Sequence, residues 1–403
     1  MQKRAILIIF LTVFIDLVGF GIIIPLTPFL VTSFGADAFM VGLLMGIYSL
    51  AQFLFAPLWG QLSDRLGRRP IILVSLLGAG LSHLMFAFAD HLWVLFVARA
   101  LAGLFGANIS TAMAYIADIT EKKDRSKSMG LIGAAFGLGF VLGPFLGGIF
   151  AQFGDSLGDV APFGKSFAAV GAAIICLLNF GMAIFLLKES LPQSLRSQVK
   201  KRPPRFKNIT KHFSTPVVGS LMTIFFLGTV GMASMEASLF LFVKDQFNWD
   251  MVTASYGFAY VGVIMVLTQG LFIRKLMPLW GERKVLLIGL FLFAIGIGGI
   301  GWAEHVWYLG IVVTLLALGS GFMNPAINGS ISLLTSNEEQ GSVMGVNQSL
   351  SAMARIFGPA IGGWLYVHAG HSSPFWLSGA FGAIAFGIAV LHRNSLPEAG
   401  KQS

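Results

Sequence analysis

Apolar runs long enough to cross a lipid bilayer follow one another along the whole chain, separated by short polar breaks. A spanning helix needs about 20 such residues, because each adds about 1.5 Å of rise through a hydrocarbon core about 30 Å thick. Twelve runs qualify, at 5–31, 38–60, 70–90, 92–118, 126–153, 164–187, 215–243, 251–275, 283–302, 306–334, 341–368 and 371–392. Charged residues make up 11% and hydrophobic ones 56%, against about 25% charged in soluble domains. The reading is an all-α integral membrane protein of twelve transmembrane helices. The first run follows Lys3 and Arg4 directly and exceeds the apolar core of a signal peptide, so a retained helix is expected there.

The formal charge of +9 does not mark a nucleic-acid partner, because lysine and arginine crowd into alternate loops. Arg65, Arg68 and Arg69 share one side with Lys122, Lys123, Arg125 and Lys127, with the run from Lys188 to Lys211, and with Arg274, Lys275, Arg283 and Lys284. The other side contributes only Lys165 and Lys244. The positive-inside rule therefore places both termini of this even-numbered bundle in the cytoplasm, as a multi-pass protein of the cytoplasmic (inner) membrane.

One long polar connection, residues 188–213, separates a six-helix half at 1–187 from a second at 214–403 that ends in a short cytoplasmic tail. It reads as a basic linker anchored at the anionic lipid surface. The halves are related: "SMGLIGAAFGLGFVLGPFLGG" in the fifth helix and "VMGVNQSLSAMARIFGPAIGG" in the eleventh share Met-Gly, Gly-Pro and Gly-Gly at one spacing. A similar offset lays "GRRPIILVSL" over "GERKVLLIGL". A parallel duplication of six helices, pseudo-symmetric in its two bundles, describes a transporter with its substrate site near the bilayer midplane.

Other chemistries find no support. The single cysteine, Cys176, can form no internal disulfide, and His83 has no second histidine or cysteine at metal-ligand spacing. No metal and no cofactor are expected, and no nucleophile–base set or phosphate loop suggests an enzyme.

The junction of the second and third helices, "GQLSDRLGRRPIIL", resembles the signature loop of the major facilitator superfamily, with Gly60, Asp64, Arg65, Gly67, Arg68 and Arg69 at the family's positions. The resemblance implies a cytoplasmic gating loop in which Asp64 and Arg68 join an acid at the inner end of the fourth helix, and Asp118 fits. In the fifth helix, Gly130, Gly139, Gly143, Pro144, Gly147 and Gly148 resemble the motif associated with the superfamily's antiporters. Small residues there let helices approach closely and Gly-Pro permits a bend. Its repeat in the eleventh helix has Ala354 at the second glycine position, followed by Gly358, Pro359, Gly362 and Gly363, so packing alone could preserve much of the pattern.

One acid interrupts the first helix. Asp16 lies about 17 Å from the cytoplasmic edge by helix rise, too deep for its short side chain to reach water. "IDLVGFGIIIPLTPFL" resembles the first helix of tetracycline/proton antiporters, and Gln52 in "SLAQFLFAP" extends the match. Asp16 is assigned proton coupling, substrate contact or both. "RALAGLFGA" resembles the family's fourth-helix motif, which implies proton transfer at Arg99. The resemblance departs in the third helix, where Ser82 and His83 stand in place of the tetracycline exporters' aspartate, which argues against tetracycline itself.

In the second half, Glu236 on the seventh helix is a candidate for a proton or a cationic substrate. Arg355, about 21 Å into the eleventh helix by the same rise, would pair with it or face an anion. Asn108, Asn324, Asn328, Asn347 and Gln348 are candidates for polar cavity positions, with interhelix hydrogen bonds as the other reading. The expected function is proton-coupled antiport, exporting hydrophobic or cationic small molecules by alternating access and acting as a monomer. The rivals are a proton-coupled importer of a metabolite, a lipid transporter on the same scaffold, and, from a different class, a polytopic membrane enzyme.

Overall fold

The computed structural model describes residues 2–120, 125–196, 216–335 and 340–397. Among them the chain is helical with no strand, as lipid requires: with no water to bond backbone groups, each segment must close its own hydrogen bonds. The helices are α1 (Gln2–Ser33), α2 (Ala38–Leu66), α3 (Arg68–Ala87), α4 (Leu92–Phe105), α5 (Ile109–Ile119), α6 (Arg125–Asp155) and α7 (Phe167–Leu186). After the four-residue α8 (Gln193–Arg196) come α9 (Pro216–Phe247), α10 (Met251–Leu267), α11 (Ile273–Gly299), α12 (Val306–Leu333), α13 (Gln340–His368) and α14 (Ser373–Leu391).

Each of the twelve expected spans falls on helix, with three departures. The fourth span is two helices, α4 and α5, joined by a single 3-10 turn at Gly106–Asn108. The eighth and ninth run into one another: α10 passes through a π-helical turn at Thr268–Phe272 into α11, and the two spans part only at Gly281, φ 73° and ψ 165°. The expected gating loop is likewise a single residue. Gly67, at φ 108°, alone separates α2 from α3, so Asp64 and Arg65 end one helix while Arg68 and Arg69 begin the next. Both turns stand at repeat-related positions and both need the positive φ that glycine adopts without steric cost.

The chain packs as two compact units. The first comprises Met1–Ala36, Ile47–Lys201 and Trp249–Tyr260. Its core joins Ile9, Val13 and Leu17 of α1 to Ile72 and Leu76 of α3, Tyr115 and Ile116 of α5, and Ala183 of α7. Glycines bring α6 close to α1: a Cβ at Gly143 of α6 would lie 2.6 Å from the Gly21 Cα of α1, and one at Gly139 would lie 2.8 Å from the Leu17 Cβ. The Asn179 amide on α7 donates to the Thr12 carbonyl at 2.8 Å, tying α7 to the same helix.

The second unit comprises Asp37–Gly46, Arg202–Asn248 and Val261–Ser403. Its α13 repeats the contact that α6 makes in the first: Gly358 packs on Val230 and Ala233 of α9, and Gly362 on Ser234. The opening turns of α2 also belong here, with Gly42 and Gly46 against Pro359 and Ile356. Past α14 the chain returns to the Gly281 turn, where the Arg283 N–H donates to the Pro397 carbonyl at 3.3 Å.

Candidate transport site

In the first unit, the Asn108 side chain lies within interaction range of the Asp16 carboxyl. The 3-10 turn brings Asn108 to this point, and the same break leaves the Gly106 carbonyl to accept from Gln52 Nε2 at 2.9 Å. An amide has both a donor and an acceptor. Asn108 can therefore satisfy Asp16 ionised or protonated, which a cationic partner could not.

Arg99, on α4, is buried, with 2% of its surface exposed. Its guanidinium carbon lies 4.8 Å from the Tyr48 ring centroid and 5.7 Å from that of Phe20, and those rings stack at 4.8 Å. Among the described residues Nε and Nη1 have no hydrogen-bond partner, so neither is held by the Asp16 carboxylate. Cation–π contacts contribute about 0.5–2 kcal/mol each, less than the several kcal/mol it costs to desolvate an ion. The site thus holds a cation only partly compensated by its surroundings. His83 and Cys176 are buried around Gly19, one turn beyond Asp16.

In the second unit, Glu236 and Arg355 line a cavity of about 220 Å³ together with Asn324, Asn328, Phe225, Met232 and Met323. Glu236 Oε2 and Arg355 Nη1 stand 4.0 Å apart, their side chains 9% and 38% exposed. Asn347 lies behind the wall, donating to Asn328 Oδ1 at 3.2 Å, while Gln348 is exposed and takes no part in the lining.

At the junction of α2 and α3 in the first unit, Arg68 Nη1 pairs with Asp64 Oδ1 and donates to Ser63 Oγ at 2.8 Å, while Nε reaches Asp118 Oδ2 at 3.1 Å. Arg65 projects outward, and Arg69 donates to the carbonyls of Ile184 and Leu187 at 2.7 and 2.8 Å. Glu189 completes the network. Its oxygens accept the backbone N–H groups of Arg68 and Arg69 at 2.9 and 3.2 Å, capping a helix whose own N-cap, Gly67, has no side chain to do so. Gly60 is buried and its carbonyl accepts from Ser63 Oγ at 2.8 Å.

The Major Facilitator Superfamily model matches residues 9–279 and 270–403. The chain belongs to the Major Facilitator Superfamily. The tetracycline resistance protein, class H, of Pasteurella multocida is 31% identical over 97% of this chain and 96% of its own length. Multidrug resistance protein 2 of Bacillus subtilis (strain 168) is 29% identical over 99% and 97%. Among solved structures, a bacterial homologue of the human lysosomal transporter Spinster, in an inward-facing and occupied conformation, superposes with a TM-score of 0.79 at 14% identity, over 97% of this chain and 96% of that one, which speaks for the fold. This member of the superfamily is a multi-pass membrane transporter rather than an enzyme, within the group of drug-efflux proteins.

In superfamily terms, the glycine motif of α6 is divided between two neighbours. Gly139, Gly143 and Gly147 face α1, with Pro144 beside Gly21, whereas Gly148 packs on Ser255 and Tyr256 of α10. The surroundings of Gly130 lie outside the described residues, as do Lys122, Lys123 and linker positions 197–213. Sequence reasoning passed over Glu189, although a signal existed: it is the only acid in 188–213, among eight lysines and arginines. Tyr48 and Phe20 carried no such mark, because one aromatic among 37 phenylalanines and six tyrosines cannot be singled out by spacing.

Proposed function

We propose that this transporter exports hydrophobic or cationic small molecules in exchange for protons, by alternating access. The observation that carries the reading is the pairing of Asp16, midway along α1, with the neutral Asn108 amide. A carboxylate at that depth is costly and marks ion pathways, and its partner tolerates both protonation states. Relatives named for tetracycline and multidrug resistance support export. Ser82, where tetracycline exporters carry an aspartate, supports a spectrum other than tetracycline. Glu236 is the second protonatable group of the scheme, and the Arg68 cluster is the inner-face latch.

On this reading the functional bundles are 1–187 and 214–403, joined by the basic linker 188–213. Both termini are cytoplasmic, the residence is the inner membrane, and a monomer suffices. The test is flux in proteoliposomes enclosing a pH dye, with imposed gradients of lipophilic cations, antibiotics, sugars and organic anions. Proton movement opposite to substrate, abolished in Asp16→Asn, is the expected result; substrate movement without proton flux, unchanged in that variant, overturns it.

Arg355 favours a second reading, import of an anionic metabolite, because its side chain is 38% exposed and lines the cavity. Proton and substrate moving in the same direction would select it.

A further inference from the structure

The second-unit cavity contains an acid and a base that face each other without closing. At 4.0 Å, Glu236 Oε2 and Arg355 Nη1 are an ion pair too long to be a hydrogen bond. Glu236 presents two carboxylate oxygens, and an arginine carries five N–H donors in a rigid fork. Around them, Asn324 and Asn328 add amide groups, while Phe225, Met232 and Met323 supply an apolar wall. Unbranched methionines adapt to ligands of different outline.

We infer that this cavity is a binding subsite for small amphipathic zwitterions, molecules with an apolar body and adjacent cationic and anionic groups. Opposite charges 4.0 Å apart leave little net charge in the cavity, so a ligand with one charge is attracted by one partner and repelled by the other. A zwitterion lies head to tail across the pair, its cation on Glu236 and its anion on Arg355, and each new contact is charge-assisted. The volume of about 220 Å³ is below the 300–1,000 Å³ or so of pockets that enclose a drug-sized ligand. The cavity therefore takes a compact molecule, or the charged head and first ring of a larger one.

The physiological meaning of this subsite rests on the exporter reading, but its chemistry is tested by binding alone, without a gradient. The probes are naphthylalanine, its methyl ester and its N-acetyl derivative, which share one apolar body and present a zwitterion, a cation and an anion. They are titrated against the purified full chain in lipid nanodiscs. The expected order has the zwitterion tighter than either ion by about tenfold or more. Glu236→Gln should move the preference to the N-acetyl anion, and Arg355→Gln to the ester cation. These opposite shifts cannot come from loss of fold, and Met232→Ala should weaken all three probes alike. Equal affinity for the three probes in the unaltered protein overturns the inference, as does a shift in the same direction in both charge variants. Proton-linked flux measured on the same preparation separates the two claims: flux with no head-group preference removes the subsite and leaves the exporter, while the head-group order without any proton-linked flux does the reverse.

Discussion

Glu189, just beyond α7, caps the helix that Arg68 begins, accepting the Arg68 backbone N–H at 2.9 Å. Arg68 is thereby held from both ends: its backbone by Glu189, and its guanidinium by Asp64, Ser63 and Asp118. Anions at helix N-termini are favoured by the unsatisfied N–H groups and by the helix dipole.

Removal of that cap should cost about 0.5–2 kcal/mol, the range measured for helix caps. Glu189→Ala is expected to lower the thermal transition of the purified protein, with Glu189→Gln intermediate because an amide oxygen still accepts one N–H. Identical transitions in all three proteins would show that the cap contributes nothing.

Arg68→Ala should be more damaging than either. It leaves Asp64 and Asp118 as neighbouring carboxylates whose side chains are 10% and 23% exposed, and breaking a buried pair costs roughly 3–5 kcal/mol. Neutralising the acids in Asp64→Asn/Asp118→Asn should recover much of the loss in yield and thermal stability. Arg68→Lys should recover less, since an ammonium cannot present the planar fork that holds three partners. A double acid variant as unstable as Arg68→Ala would count against this account.

Asn108→Ala should reduce proton-linked flux by roughly 10- to 100-fold, corresponding to the 1–3 kcal/mol or so lost when a buried polar group loses its partner. Asn108→Gln, with the same amide one methylene further out, should be partly active. Flux assays on reconstituted protein decide this, and unaltered flux in the alanine variant would show that Asp16 exchanges protons without the amide.

Two glycine substitutions should separate packing from propensity. A Cβ at Gly143 would meet the Gly21 backbone at 2.6 Å, whereas one at Gly181 on α7 meets nothing within 4 Å. Gly143→Ala is expected to destabilise by about 1–3 kcal/mol through overpacking, and Gly181→Ala to stabilise by up to about 1 kcal/mol through helix propensity. Thermal melts of the two variants check the sign of each.

What was legible in the sequence is what a single segment encodes. Runs of about 20 apolar residues announced each span, and the Gly-Pro and Gly-Gly spacing announced related helices. Asp16 was conspicuous because an acid at midspan has no cheap local solution. Its partner was less so: Asn108 stood among several polar candidates, and only the 3-10 turn after α4 selects it. The helix beyond residue 275 was not expected because Arg274, Lys275, Arg283 and Lys284 read as a loop, whereas the helix continues from the π turn as far as the Gly281 break. Glu189 was missed because it works across 121 positions of sequence, on a helix end that shows no deficit until the two segments meet.

The α6 glycine pattern is instructive in the other direction. The contacts of Gly143 and Gly147 with α1 recur at Gly358 and Gly362 with α9. Close helix approach accounts for both copies, so the pattern by itself does not fix a direction of transport.

The two single-glycine turns make a natural pair of variants within one molecule. Gly67 and Gly281 share a positive φ, and each is met by a segment that follows a long helix, "ESLP" at 189–192 after α7 and "NSLP" at 394–397 after α14. Around the first the contact is ionic, by Glu189; around the second a carbonyl, that of Pro397, does the holding. Duplication has kept a shape and let its chemistry diverge. The Gly281 turn shows in that sense that this main-chain shape does not depend on a carboxylate to cap it.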